Sequence, residues 1–79
     1  MPSTDATYRA LVEVVIETRA EAGLTQQELA DRLKRLKSFV GKVETGQRNL
    51  DVIEFIELAR ALRIEPTKLL AKVVQATGM

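Results

Sequence analysis

Apolar residues in this chain recur three and four positions apart, the spacing of helices that each bury one face. Over residues 5–22, Tyr8, Leu11, Val12, Val15, Thr18 and Arg19 fall on such a stripe. Ser3 or Thr4 is placed to cap its start, Asp5 suits the positive end of the helix dipole, and Gly23 supplies a left-handed stop. Next comes Thr25-Gln26-Gln27-Glu28, a capping box in which hydroxyl and carboxylate each accept a hydrogen bond from the other residue's amide. Leu29, Ala30 and Leu33 form a short second stripe. After the break Lys34-Arg35-Leu36, a third helix over 37–44 turns Val40 and Val43 inward and ends before Gly46. Gln47-Arg48-Asn49-Leu50 reads as a loop, and Asp51 caps a fourth helix with Val52, Phe55, Ile56, Ala59 and Leu62 on one face. Ile64-Glu65-Pro66 is a further break. Pro66 suits the first turn of a fifth helix, whose apolar residues are Leu69, Leu70, Val73 and Val74, and which frays toward Gly78 and Met79. No segment alternates with a period of two. The pattern predicts an all-α fold of five helices in a single domain over residues 1–79.

Composition narrows what such a domain can do. A chain of 79 residues buries little more than about 60% of its unfolded surface, which leaves small room for a second site away from the core. Its apolar share of 46% is aliphatic, with one Tyr, two Phe and no Trp, a bias that suits packed helices. There is no Cys, which excludes a disulfide framework, a thiolate nucleophile and a zinc–cysteine cluster. There is no His, so the commonest metal ligand and the usual acid–base group near neutral pH are both missing. No catalytic residue, metal site, cofactor or small-molecule ligand is expected. Glu54 and Glu57 read as part of a solvated helix face, with no nucleophile or cavity beside them. Pro2-Ser3-Thr4-Asp5 has neither the basic start nor the apolar stretch of a secretory signal. No apolar run exceeds three residues, against the roughly 20 needed to span a bilayer. The expectation is a cytoplasmic protein with no membrane association.

The net charge of +1 conceals an uneven distribution. Residues 1–24 carry Arg9 and Arg19 against Asp5, Glu13, Glu17 and Glu21. Residues 25–50 carry Arg32, Lys34, Arg35, Lys37, Lys42 and Arg48 against only Glu28, Asp31 and Glu44. Residues 51–79 balance. A basic centre is either a solvated surface or a face turned toward an anion, and the motif within it has to decide.

That motif occupies residues 25–46. Two short helices joined by so brief a break form a helix-turn-helix, which presents its second helix outward to fit a DNA major groove. On that helix Val40 and Val43 point inward, so Lys37, Ser38, Gly41 and Lys42 lie outside. Two ammonium groups and a hydroxyl on one exposed face can reach phosphates and base edges.

These residues also carry a resemblance. Leu24-Thr25-Gln26-Gln27-Glu28-Leu29-Ala30 resembles the opening of the phage-repressor and Cro-type, or XRE-like, helix-turn-helix family. Ser38-Phe39-Val40 and Lys42-Val43-Glu44-Thr45-Gly46 resemble its recognition helix. Leu50-Asp51-Val52, Phe55, Ala59, Ala61-Leu62, Pro66 and Leu69-Leu70 continue the likeness, which spans about residues 8–70. The resemblance implies a five-helix domain that binds double-stranded operator DNA, often as a twofold homodimer. It places Gln26 near a phosphate or an adjacent base, and makes Lys37, Ser38 and Lys42 the base-reading positions. Phe39 falls on the rim, toward a thymine methyl or the sugar backbone. Thr45, Gln47, Arg48 and Asn49 would follow phosphates, and Arg35 joins the same DNA-binding set. Arg19 and Glu44 would form a largely buried ion pair between the first helix and the recognition helix.

The chain departs from the family pattern at four positions. Lys34 and Arg63 stand where Gly is usual, which costs on the order of 1 kcal/mol each in the left-handed region. A cation at a helix C-terminus returns about 0.3–1 kcal/mol of that. Lys37 replaces a common Gln, exchanging a bidentate amide for a point charge. Gly41 replaces a common Ser and offers no side chain for reading; it also lets the helix sit closer to the groove floor. Three functions compete on this basis: an operator-binding regulator, a protein-interaction module that uses the helix-turn-helix as a scaffold, and, least favoured, an enzyme. For a dimer, Val14 and Ile16 on the first helix and Val74, Ala76 and Met79 on the last are candidate surface residues, with completion of the core as the competing role.

Overall fold

A computed structural model describes residues 6–79 and contains five helices: α1 (Ala6–Glu21), α2 (Gln26–Leu33), α3 (Lys37–Glu44), α4 (Val52–Ala61) and α5 (Pro66–Thr77). There is no strand among the described residues. The capping roles predicted for Ser3, Thr4 and Asp5 fall outside them.

Local sequence sets the helix ends. The Thr25 hydroxyl accepts from the Glu28 amide at 3.0 Å, and the Glu28 carboxylate accepts from the Thr25 amide at 2.8 Å. Asp51 and Glu54 repeat this box at the start of α4, at 2.7 and 3.0 Å. The two positions without the usual Gly both take left-handed geometry, Lys34 with φ 57° and Arg63 with φ 58°. Each follows the end of a helix, where its positive charge offsets part of the backbone cost. Arg32 adds a tie by donating from Nη1 to the Ala61 carbonyl at 2.9 Å, so a cation from α2 meets the C-terminus of α4.

The core has two adjoining parts. Val15, Leu29, Ala30, Val40, Leu58 and Leu62 join α1 to α2, α3 and α4. Val14, Ala59, Leu69 and Val73 join α1 to α4 and α5. Helix α1 is therefore buried on two sides, which corrects the placement of Val14 on a dimer surface: it is 6% exposed within the monomer. The stripe predicted for α4 also shifts. Leu58 is buried, at the same three- and four-residue spacing from Phe55 and Leu62, whereas Val52 and Ile56 are exposed. Val52 stands at the first turn, and Ile56 lies at the edge of the stripe, past what α2 and α5 cover. On α5, Leu69 and Val73 are buried but Leu70 and Val74 are exposed, because α1 and α4 pack against only one side of that helix.

Candidate nucleic-acid interface

Val40 and Val43, each 2% exposed, fix the rotation of α3 and leave Lys37, Ser38 and Lys42 facing outward. Gly41 is half-buried on that same helix, and an added Cβ would meet nothing within 4 Å. Neither lysine forms an ion pair or hydrogen bond among the described residues.

A buried carboxylate anchors this face from behind. Glu44, at the end of α3, accepts from Arg19 Nε at 2.7 Å and from Arg19 Nη2 at 3.0 Å. Its side chain is 4% exposed and that of Arg19 is 17% exposed. Arg19 also donates to the Leu24 carbonyl at 2.8 Å, so one guanidinium connects α1, the loop before α2 and α3. The hydrogen bond to Glu44 raises the Arg19 pKa further above its ordinary value. Gln26 completes the set: its amide nitrogen donates to Glu44 Oε1 at 2.9 Å. This orients the first residue of α2, half-buried, beside the exposed face.

A second cluster occupies the other flank. The Phe39 ring and the guanidiniums of Arg35 and Arg48 come together, with the Arg35 and Arg48 Cζ atoms 4.3 and 4.7 Å from the ring centre. Arg48 forms a bidentate pair with Glu54, Nη1 to Oε1 at 2.8 Å and Nη2 to Oε2 at 2.6 Å, and donates also to the Asn49 carbonyl. Arg35 Nη2 lies 3.5 Å from Glu54 Oε2 and 4.0 Å from Glu57 Oε1. The hydrogen bonds from Arg48, and next that from the Asp51 amide, hold the Glu54 carboxyl below its ordinary pKa of 4.5. Arg35, Leu36, Ser38, Phe39, Lys42 and Arg48 line an open cavity of about 330 Å³. Thr45, Gln47 and Asn49 are exposed just beyond α3, and the Thr45 hydroxyl donates back to the Lys42 carbonyl at 3.2 Å.

Of the predicted positions, Arg35, Ser38, Phe39, Lys42 and Arg48 line one cavity, and the positions differ in their freedom. Lys37, Ser38 and Lys42 are open, Gln26 is held by Glu44, and Arg48 is held by Glu54. Glu54, expected on a solvated helix face, is instead buried at 8% exposure. A signal for it exists, since Asp51 and Glu54 have the spacing of Thr25 and Glu28. An acid at that third position has backbone work to do.

A short helix, a tight turn and a second helix with an open polar face define a helix-turn-helix domain. A helix-turn-helix family model matches residues 15–69. The chain belongs to the XRE-type helix-turn-helix family. It is similar to an XRE-family-like protein from Pseudomonas syringae pv. tomato, with 47% identity and a TM-score of 0.84 over 91% of this chain and 88% of that one. It is similar to the restriction-modification controller protein C.AhdI from Aeromonas hydrophila, with 38% identity and a TM-score of 0.75 over 82% of this chain and 98% of that one. An uncharacterised HTH-type transcriptional regulator from Sinorhizobium fredii is 39% identical over 51 residues, which cover 65% of this chain and 66% of that protein.

Proposed function

We propose that this chain is a sequence-specific transcription regulator that seats α3 in the major groove of operator DNA. It acts in the cytoplasm as a twofold dimer and represses its own promoter. The observation that carries this reading is the face of α3: Lys37, Ser38 and Lys42 are exposed and unpaired on a helix whose other side is locked by Val40, Val43 and Glu44. A rigid helix with open polar groups suits base reading, because little ordering is left to be done on binding. Lys37, Ser38 and Lys42 meet base edges; Gln26 approaches a phosphate or an adjacent base, and Thr45, Gln47 and Asn49 lie along phosphates. The regulator and controller roles named for the relatives point the same way. One α3 spans only a few base pairs, so a dimer at one-turn spacing supplies the rest. Val74, Ala76 and Met79 are exposed and remain available for its interface, and no helix among the described residues is long and apolar enough to cross a membrane.

The experiment is a fluorescence-anisotropy titration against DNA from upstream of the gene, with random duplex as competitor, at low and moderate salt. Preferential binding is expected. Lys42→Ala weakens binding to the preferred DNA more than binding to random duplex, as loss of a base contact does, while the helical circular dichroism is kept. A folded wild type that binds neither duplex refutes the proposal. It would favour the alternative, a protein-interaction module, to which Val52 and Ile53 at 74% and 65% exposure offer a docking surface.

A further inference from the structure

Besides capping α4 with Asp51, Glu54 is the point where two cations of the candidate interface converge. Its carboxylate takes both terminal nitrogens of Arg48, and Arg35 Nη2 stands 3.5 Å away. Both guanidiniums also lie over Phe39. Arg35, Phe39 and Arg48 line the same cavity as Ser38 and Lys42, so the cluster sits on the face that carries the reading positions, not behind it. The side chains of Arg35 and Arg48 keep 37% and 39% exposure, against 10% for Glu54. The cations are thus accessible to a phosphate while the anion beneath them is not.

From this arrangement we infer that Glu54 is a specificity-determining residue of the DNA face. It withholds the charge of Arg35 and Arg48 from phosphates of arbitrary sequence. The inference rests on the proposed DNA-binding function. Non-specific affinity is set by the number of phosphates neutralised, without regard to sequence. A cation paired to a shielded carboxylate on its own domain releases no counterion from a duplex unless the pair opens. Drawing Arg48 away for one more phosphate strips the buried Glu54 of both its guanidinium hydrogen bonds and leaves only Arg35 at 3.5 Å, which is unfavourable. Only a site that positions Lys37, Ser38 and Lys42 on matching bases supplies enough contact energy to draw the arginines away. Glu54 acts through these arginines and is a positioning residue for them. Its expected effect is on the ratio of specific to random binding.

The test compares wild type and Glu54→Gln on random duplex and on the preferred DNA, across a salt series. The amide keeps an oxygen for the Asp51 cap and removes the charge. Random-duplex affinity is expected to rise roughly 3- to 10-fold, with the salt slope steeper by about 0.9 per phosphate gained. The preference for specific DNA falls by a similar factor. Adding Arg48→Gln to the same protein reverses the gain. A merely structural role gives the opposite sign, since a loosened domain binds every duplex less well. Unchanged random-duplex affinity and slope in a folded Glu54→Gln protein overturn the inference. If that variant does not fold, NMR signals of the Arg35 and Arg48 guanidiniums in the wild type decide. They stay in place on adding random duplex if the charge is withheld, and their movement overturns the inference. A wild type with no salt-dependent affinity for any duplex fails the proposed function itself; a wild type that binds while Glu54→Gln matches it fails only the role of Glu54.

Discussion

Removing Glu44 should unfold much of the domain's stability while looking, in a binding screen, like the loss of a DNA contact. The carboxylate accepts three hydrogen bonds, two from Arg19 and one from Gln26. In Glu44→Ala the Arg19 guanidinium keeps only the Leu24 carbonyl, in a place where the Arg19 side chain is 17% exposed with Glu44 present. Leaving one partner of a buried pair uncompensated costs about 3–5 kcal/mol. Water reaches the edge of Arg19, which places the cost near the lower end, about 3 kcal/mol. A domain of this length has a total stability of only about 4–12 kcal/mol. The corresponding fall in melting temperature is roughly 12–24 °C for a chain of this size. Thermal and urea unfolding followed by circular dichroism measure it, with DNA binding assayed well below the midpoint. Glu44→Gln, which keeps an acceptor but loses the charge, should fall between the two. A Glu44→Ala protein that melts within a few degrees of wild type yet no longer binds DNA would falsify the structural account of this pair.

Two further outcomes follow from single positions. Gly41 is helical and its Cβ direction is open, so Gly41→Ala should stabilise the domain by about 0.5–1 kcal/mol, read as a higher urea midpoint. A simultaneous loss of DNA affinity would show that α3 approaches the groove floor closely, whereas a stabilised protein with unchanged binding removes that role for Gly41. The Glu54 carboxyl is depressed from 4.5 in the fold, first by Arg48 and then by the Asp51 amide. Its contribution is therefore fully present above that value and is lost as pH falls below it, through the folded value. Urea midpoints measured downward from neutral pH should drop less steeply below pH 4.5 in Glu54→Gln than in wild type, and parallel curves would count against the assignment.

The fold was legible because several local signals agreed. The Thr25–Glu28 box, the Asp51 cap, Pro66 and the valine pair on α3 each named a helix end or a rotation, and the structure uses them that way. Even Lys34 and Arg63 were readable as left-handed residues, because their places in the helix-turn-helix pattern demand that geometry. What periodicity could not show is how wide a buried stripe each helix needs. That depends on its neighbours: α1 lies between two core clusters and buries Val14 as well as Val15, while α5 has neighbours on one side and leaves Leu70 and Val74 in solvent. The partners of the charged residues were hidden for a related reason. Arg48 and Glu54 are six positions apart across a loop and a helix start. No helical spacing rule joins them; only the path of residues 45–51 does.

This changes the meaning of the basic centre. In the sequence, residues 25–50 carry six cations, and the natural inference is a surface that attracts any polyanion. In the structure the arginines are engaged: Arg32 caps the carbonyl of Ala61, while Arg35 and Arg48 gather around Phe39 and Glu54. Lys34, Lys37 and Lys42 make no ion pair among the described residues. Lys34 sits in the turn, so the uncommitted charge on α3 is two ammonium groups flanking one hydroxyl. Each phosphate neutralised contributes about 0.9 to the salt exponent, so the proposed function predicts that a monomer with so few free cations holds random DNA weakly. The replacement of Gln by Lys at position 37 then does not by itself make the domain a charge-driven binder. Guanine, with two acceptors in the major groove, is the base to which Lys37 and Lys42 are best matched. In the proposed function, discrimination rests on those lysines meeting guanine edges before the arginines leave Glu54.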